Sequence, residues 1–454
     1  MDCKPYIRAH QDELLASLAA LIRIPSIEGT PEPGAPYGRE PRRCLAETLA
    51  LCERLGLKTT VMDDRIGWCE YGEGEQMVAV LCHLDVVPAG EDWKLAEPFS
   101  GEIKDGRIYG RGAMDDKGPA VAAIYALAAL KEKGFVPSHR IRLLFGTNEE
   151  TGFHDILWYK EHGGEIPVMG FAPDIEYPII NGEKGVMNCT FSRKLHQTGA
   201  FRLLRFEGGS AFNISPAYAV AELACPPEAA SMIHAPKVTV TPIEGGIRVE
   251  AEGIASHASV PELGENAVGR LAMALAQLPL EGELADCIAF LSERIGMETR
   301  GESFGIAMRD ELSGDLTFNL GVAAFAEEAL SLTLSVRYPV SKTYDEAYPK
   351  LLRGFSLGGF TETAMQHLAA IYFPPESELV QKLSRVYEAQ TGQKAVLRAT
   401  GGSTYAKSIP NTLAFGPLFP GDISHIHQQD EYMEIEQLLR NAEMFAAALY
   451  ELAR

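Results

Sequence analysis

Three observations predict an open, mostly parallel α/β sheet that carries an inserted α+β domain. Apolar strand-like runs alternate with helical stretches up to residue 185 and again after residue 374. The early apolar runs end in short acidic or histidine motifs, and ligands of open α/β sheets collect beyond the carboxyl ends of the strands. Between the two stretches the pattern changes to shorter strands and turns with few helices, as expected of an α+β unit.

The elements follow in order. Residues 11–23 read as an amphipathic helix, and residues 42–55 as a second, stopped by Gly56. Residues 76–82 form a continuous apolar run, the mark of a strand buried on both faces. His83 and Asp85 lie just past its end. Residues 104–109 suit a short hairpin feeding the turn at Gly110 and Gly112, and Pro119 opens an alanine-rich helix that runs to about residue 133, with Gly134 beyond. Residues 140–145 are the next strand, with Asn148, Glu149 and Glu150 at its exit, and residues 155–161 a helix. Phe171 and Ala172 lead to Pro173 and Asp174. After Lys184 come strands at 201–206, 237–242, 247–251, 316–323 and 330–338, with helices at 266–277 and 344–353. Helices at 378–391 and 435–453 return the α/β character, and the last part carries His425 and His427. The expected division is residues 1–185 and 374–454 for the first domain, in two pieces, with 186–373 inserted.

The totals narrow the function. At 454 residues the chain exceeds one ordinary core. The 41 basic and 62 acidic residues leave a net charge of −21, which excludes nucleic acid and anionic membrane as partners, since both need a basic face. The eight cysteines form no C-x-x-C pair and read as buried hydrophobes or free thiols of a reducing compartment. No signal-peptide core stands at the N-terminus, and the longest apolar run, 121–130, is too short for a bilayer. The expectation is a cytoplasmic protein.

The motif residues combine imidazole and carboxylate without thiolate, a donor set for one or two divalent cations with a carboxylate left over as a base. His83 either caps a strand or binds metal with Asp85 on its other ring nitrogen. Of Asp115 and Asp116, one is a metal bridge or both serve a helix start. Glu149 and Glu150 follow a buried strand. Neighbours in extended chain point opposite ways, so one can face a metal and the other a water molecule. Asp174 is a turn cap or a ligand, and at most one of His425 and His427 binds.

Taken with their flanks, these motifs resemble the M20 metallopeptidases. The resemblance rests on 82–88 (Cys-His-Leu-Asp-Val-Val-Pro), Trp93, Pro98-Phe99, 109–112 (Tyr-Gly-Arg-Gly) and 115–118 (Asp-Asp-Lys-Gly). It continues through 148–152, Pro173-Asp174, 181–185, 256–258 (Ser-His-Ala), 337–339 (Arg-Tyr-Pro), 401–405 and 427–431, so it covers nearly the whole chain. The sequence is most similar to the dipeptidase V branch of Xaa-His or carnosinase-like dipeptidases.

The resemblance implies a catalytic zinc-peptidase domain, an inserted lid, and two divalent ions, zinc or alternatively manganese or cobalt. His83 and Asp174 would hold one ion, Glu150 and His427 the other, and Asp115 would bridge them. Asp85 would orient His83, Glu149 would be the general base, and the Asp115–Asp116 peptide would be cis. From the lid, His257 would assist at the scissile carbonyl and Arg337 would grip a substrate carboxylate, with Asn213, Gly402 and Ser403 completing the pocket. The substrate would be a small peptide and the protein a monomer. An N-acyl-amino-acid or succinyl-diaminopimelate deacylase is the alternative enzyme, and a non-catalytic peptide or metal binder the alternative of another class. The loop Thr151-Gly152-Phe153-His154-Asp155 and the segment 421–424 depart from this branch.

Overall fold

The computed structural model describes residues 1–454 and divides into two units. The first comprises Met1–Asn181, Phe373–Arg398 and Ser403–Arg454; the second comprises Gly182–Tyr372 and Ala399–Gly402. The small segment Ala399–Gly402 is one that a cut at residues 373/374 leaves on the other side.

In the first unit the sheet runs Lys58–Met62, Ile66–Tyr71, Arg140–Gly146, Met77–His83, Met169–Ala172, Thr412–Ala414. The last four of these strands are parallel, with His83 opposite Gly146 and Val80 opposite Phe171. The first two join antiparallel at one edge. Every residue of Met77–His83 is buried, which explains its unbroken apolar run. Burying each large side chain here contributes about 1.5–3 kcal/mol. The helix Lys117–Glu132 is buried nearly all round, and its alanines let Gln11–Ile22 and Ile435–Ala453 pack against it. It begins two residues before Pro119, with Asp116 as its N-cap residue. The fully buried Lys117 ammonium donates to the carbonyls of Leu21 (3.0 Å) and Ile24 (2.8 Å), closing the end of the helix Gln11–Ile22.

The second unit is an eight-stranded, wholly antiparallel sheet with helices Ala267–Leu275, Gly282–Phe290 and Tyr344–Leu357. The strands Gly185–Lys194, Tyr218–Ala224 and Thr361–Leu368 and the helix Gly282–Phe290 lie outside the sequence expectation. In Gly185–Lys194, Met187, Cys189 and Phe191 enter the core while the alternate Asn188, Thr190 and Ser192 form side-chain hydrogen bonds, the period-two alternation of a half-buried strand. Each unit has its own apolar cluster. All eight cysteines are free, and no helix is long and apolar enough to cross a membrane.

Candidate metal centre

The carboxyl ends of the parallel strands deliver the acidic and imidazole groups to one place in the first unit. His83 is the last residue of its strand, Glu149 and Glu150 follow Arg140–Gly146, and Asp174 follows Met169–Ala172. Asp115 sits on the turn before the helix Lys117–Glu132, after a cis Asp115–Asp116 peptide bond joins the two acids. His427 arrives from a loop in which His427 and Asp430 both have positive φ, 62° and 56°. Asp430 fastens that loop by accepting from the amides of Lys94 and Leu95, both at 2.8 Å.

Asp115 is the centre of the arrangement. Its Oδ1 lies 2.9 Å from His83 Nε2, and its Oδ2 lies 3.0 Å from His427 Nε2. Asp174 Oδ1 stands 3.7 Å from the same His83 nitrogen, and Glu150 Oε1 stands 3.0 Å from the same His427 nitrogen. Glu149 also offers an oxygen within 4.8 Å of donor atoms of His83 and Asp174. His425, by contrast, lies against Tyr432 with ring centroids 4.3 Å apart and planes tilted by 39°, and its Nε2 has no hydrogen-bond partner.

Four carboxylates, the buried His83 and the exposed His427 gather here, and their charges compete. Burial pushes Glu149 well above the usual carboxylate range, and Asp174 adds to it. Burial and Asp115 raise Glu150, and the same two causes lift Asp174 to about 7. Burial opposes a charge on His83, but Asp115, Asp174 and Asp85 outweigh it and hold the ring well above its ordinary value. Burial likewise acts against the neighbours of Asp115, yet His427 and His83 keep that acid low. A site that holds so many acids out of water is stabilised by cations.

Asp85 meets His83 through its backbone. The nitrogen Nδ1 of His83 meets the backbone carbonyl of Asp85 at 3.0 Å, whereas the nearer carboxylate oxygen is 3.6 Å away. The carboxylate instead accepts the amides of Glu149 (3.0 Å) and Glu150 (3.1 Å). The physical reason is that two adjacent buried amides at a strand exit need an acceptor, and Asp85 is the anion in reach. Glu431, which pattern reading left without a role, is fully buried. It accepts the amides of Gly112 (3.0 Å), Met114 (2.9 Å) and Asp115 (3.4 Å), and pairs with Arg111 at 2.6 Å.

In the second unit, His257 and Asn213 come together. Ile214 bridges His257, and the Ala258 amide donates to the Asn213 carbonyl at 2.8 Å. Thr317 Oγ1 donates to Ala258 O, and Asn319 Nδ2 donates to Phe212 O, so both loops are fastened to one strand. Arg337 is buried, donates from Nη1 to Gly401 O, and is lowered by burial to about 10. The Gly402 amide donates to Thr400 Oγ1 at 3.0 Å. In the first unit, Ser403 Oγ accepts from Lys407 Nζ at 3.0 Å.

An open α/β sheet with imidazole and carboxylate gathered at its strand exits defines a metallohydrolase architecture. The chain matches the profile described as Peptidase family M20/M25/M40 over residues 79–451, and it belongs to that family. It is a hydrolase of the metallopeptidase class. It is 37% identical over 461 residues to YtjP of Bacillus subtilis, with 98% of each chain covered. To the beta-Ala-Xaa dipeptidase of Lactobacillus delbrueckii subsp. lactis it is 33% identical over 468 residues, covering 100% of this chain and 99% of that one. Among solved structures it shares its fold with human carnosine dipeptidase 1 (18% identity, 99% of both chains, TM-score 0.59). The same holds for the dipeptidase Dug1p of Saccharomyces cerevisiae (13% identity, 99% and 98% of the two chains, TM-score 0.63).

Proposed function

We propose that this chain is a dinuclear metal dipeptidase that hydrolyses dipeptides, with Glu149 as general base. The observation that supports the reading most is Asp115 with one oxygen beside His83 and the other beside His427. A carboxylate so flanked has the form of a bridge between two cation sites. The donor set fits zinc. Tetrahedral bonds of about 2.0 Å put donors roughly 3.3 Å apart. The four imidazole–carboxylate separations here, 2.9, 3.0, 3.0 and 3.7 Å, bracket that value. His83 and Asp174 would hold one ion, Glu150 and His427 the second, and Asp115 both. Zinc bound there would supply Lewis acidity, making water a stronger acid and the peptide carbonyl a stronger electrophile.

The remaining work falls to side chains. Glu149 takes a proton from water and returns it to the leaving amine. The amides of Glu149 and Glu150 are pinned by Asp85, so the base and its neighbour move together. His257 serves the carbonyl oxygen as a hydrogen-bond donor. Arg337 binds the carboxylate that ends the substrate, a task for a planar guanidinium. That grip restricts hydrolysis to substrates with a carboxylate one residue beyond the scissile bond. The name of the Lactobacillus relative, beta-Ala-Xaa dipeptidase, supports the substrate class.

The test is a panel of dipeptides, including β-alanyl ones, set against N-acyl amino acids and succinylated diamino acids. It uses zinc-, manganese- and cobalt-loaded protein beside Glu149→Ala. Dipeptide turnover, lost by orders of magnitude in a variant that keeps its metal, is the expected result. Preference for acyl amino acids, or turnover retained in Glu149→Ala, overturns it.

A further inference from the structure

The loop that departs from the dipeptidase V pattern, Thr151–Asp155, contributes one side chain that the chemistry above does not use. Asp155 is fully buried, and its carboxylate collects four donors. The amides of Thr147 (2.5 Å) and Asn148 (2.9 Å) and the hydroxyl of Tyr405 (2.5 Å) converge on Oδ2, and the amide of Ile156 (2.6 Å) meets Oδ1. With Asp85 taking the amides of Glu149 and Glu150, four consecutive backbone N–H groups, Thr147 to Glu150, point into two buried carboxylates.

Tyr405 stands where this arrangement meets the rest of the site. Its ring is edge-on to His83 at 6.3 Å and to Phe153 at 5.6 Å, and it too is fully buried. The close approach depends on Gly146. A Cβ at that position would fall 1.9 Å from the Tyr405 hydroxyl and 2.5 Å from Asp155 Oδ2. The loop returns on itself around Phe153, a non-glycine residue with φ of 63°. There the Phe153 amide donates to the Asn148 carbonyl at 2.8 Å, and the His154 amide donates to Asn148 Oδ1 at 3.2 Å. The turn that bears Glu149 and Glu150 is thus closed upon Asp155 and braced from below by Tyr405.

We propose that Asp155 and Tyr405 are positioning residues that set the height of the Glu149–Glu150 turn, so that weakening the pair misplaces the base, and Glu150 with it, while His83, Asp115, Asp174 and His427 keep their places. Neither residue touches substrate. The proposal rests on the reading of Glu149 as the base.

Tyr405→Phe removes only the hydroxyl and keeps the ring packing, so it is the primary variant; Asp155→Asn is the stronger perturbation. Full-length, metal-loaded proteins are compared in three measurements: metal equivalents per chain, kcat and KM on a β-alanyl dipeptide, and hydrogen exchange of a peptide covering residues 147–150. In Tyr405→Phe, at least about two-thirds of the metal is retained, KM stays within about threefold, kcat falls roughly tenfold, and exchange across 147–150 quickens by about threefold or more. Asp155→Asn moves the same quantities further in the same direction. A residue that merely helped the fold would lower the active fraction without a selective change in exchange at 147–150. Unchanged kcat or unchanged exchange in Tyr405→Phe overturns the proposal, as does a loss of rate proportional to a loss of metal. Glu149→Ala is run alongside. If it retains turnover, the assignment of the base has failed; if it is inactive while Tyr405→Phe behaves as wild type, only the positioning role has failed.

Discussion

Replacing Glu431 by Gln exposes how much the turn that bears Asp115 depends on a group outside the proposed metal-binding set. In the native protein Oε1 accepts three amides, from Gly112, Met114 and Asp115, while Oε2 pairs with Arg111 at 2.6 Å. Burial lifts the acid to about 7 against the pull of Arg111. A glutamine in the same rotamer keeps a carbonyl oxygen for the amides but turns an NH2 group toward the guanidinium, donor against donor. Arg111 then keeps the Gln428 carbonyl at 3.1 Å and longer approaches to Ala89 (3.4 Å) and Pro88 (3.5 Å). Removing one member of a buried ion pair costs about 3–5 kcal/mol, and those carbonyls place this case at the lower end, about 3 kcal/mol. That is roughly two powers of ten in the opening equilibrium of the turn. A chain of two units need not unfold in one step, so a global midpoint is the wrong assay. Hydrogen exchange of the amides at Gly112, Met114 and Asp115 reads the opening directly and is expected to quicken about a hundredfold. Exchange within threefold of wild type would refute the reasoning, because the loop would then be held by something other than Glu431.

Three further outcomes are expected. On the dinuclear reading proposed above, Asp115→Ala should reduce the bound metal from two equivalents to one or fewer at stoichiometric zinc, read by elemental analysis after gel filtration; two retained equivalents would remove Asp115 from the bridge. Lys117→Met keeps the length but loses the ammonium that closes the helix Gln11–Ile22, and should lower the opening free energy at that helix end by about 1.5–3 kcal/mol, read by hydrogen exchange of the Arg23 and Ile24 amides; no change would show that water serves those carbonyls equally well. Asp155 is raised from 3.8 to about 6 chiefly by burial. Its contribution to stability is therefore complete below pH 3.8, declines as pH rises through 6, and amounts to about 3 kcal/mol across the window. The stability of wild type relative to Asp155→Asn should fall between pH 4 and 6 and then level; a difference that grows with pH in that range would contradict the burial.

Much of the first unit was legible because its signals are local. The run at Met77–Cys82, the glycine turn at Gly110 and Gly112, and the alanine-rich helix each follow from neighbouring residues, and the structure places them as strand, turn and buried helix. The strand Gly185–Lys194 carries a period-two alternation, Met187, Cys189 and Phe191 against Asn188, Thr190 and Ser192, that the sequence expectation passed over; what the sequence does not carry is its pairing with partners as distant as Thr333 and Gln366. The role of Asp85 was half legible. The nearness to His83 follows from a spacing of two, but the amides its carboxylate serves lie 64 and 65 residues away.

The sequence by itself determined the alternation of strand and helix, the donor chemistry at the strand exits and membership of the M20 metallopeptidases, since these reside in residue type, period and short motifs. The resemblance implied Asp115 between the His83 and His427 sites, but only the tertiary structure puts its two oxygens 2.9 Å and 3.0 Å from those rings, one 32 residues before it in the chain and the other far beyond it. It also decided that Asp155 meets Tyr405 across 250 residues and that Glu431 holds the Asp115 turn. The physical reason is that a hydrogen bond is specific to direction and distance within a few tenths of an ångström, and nothing in composition or periodicity carries that information until the chain has closed.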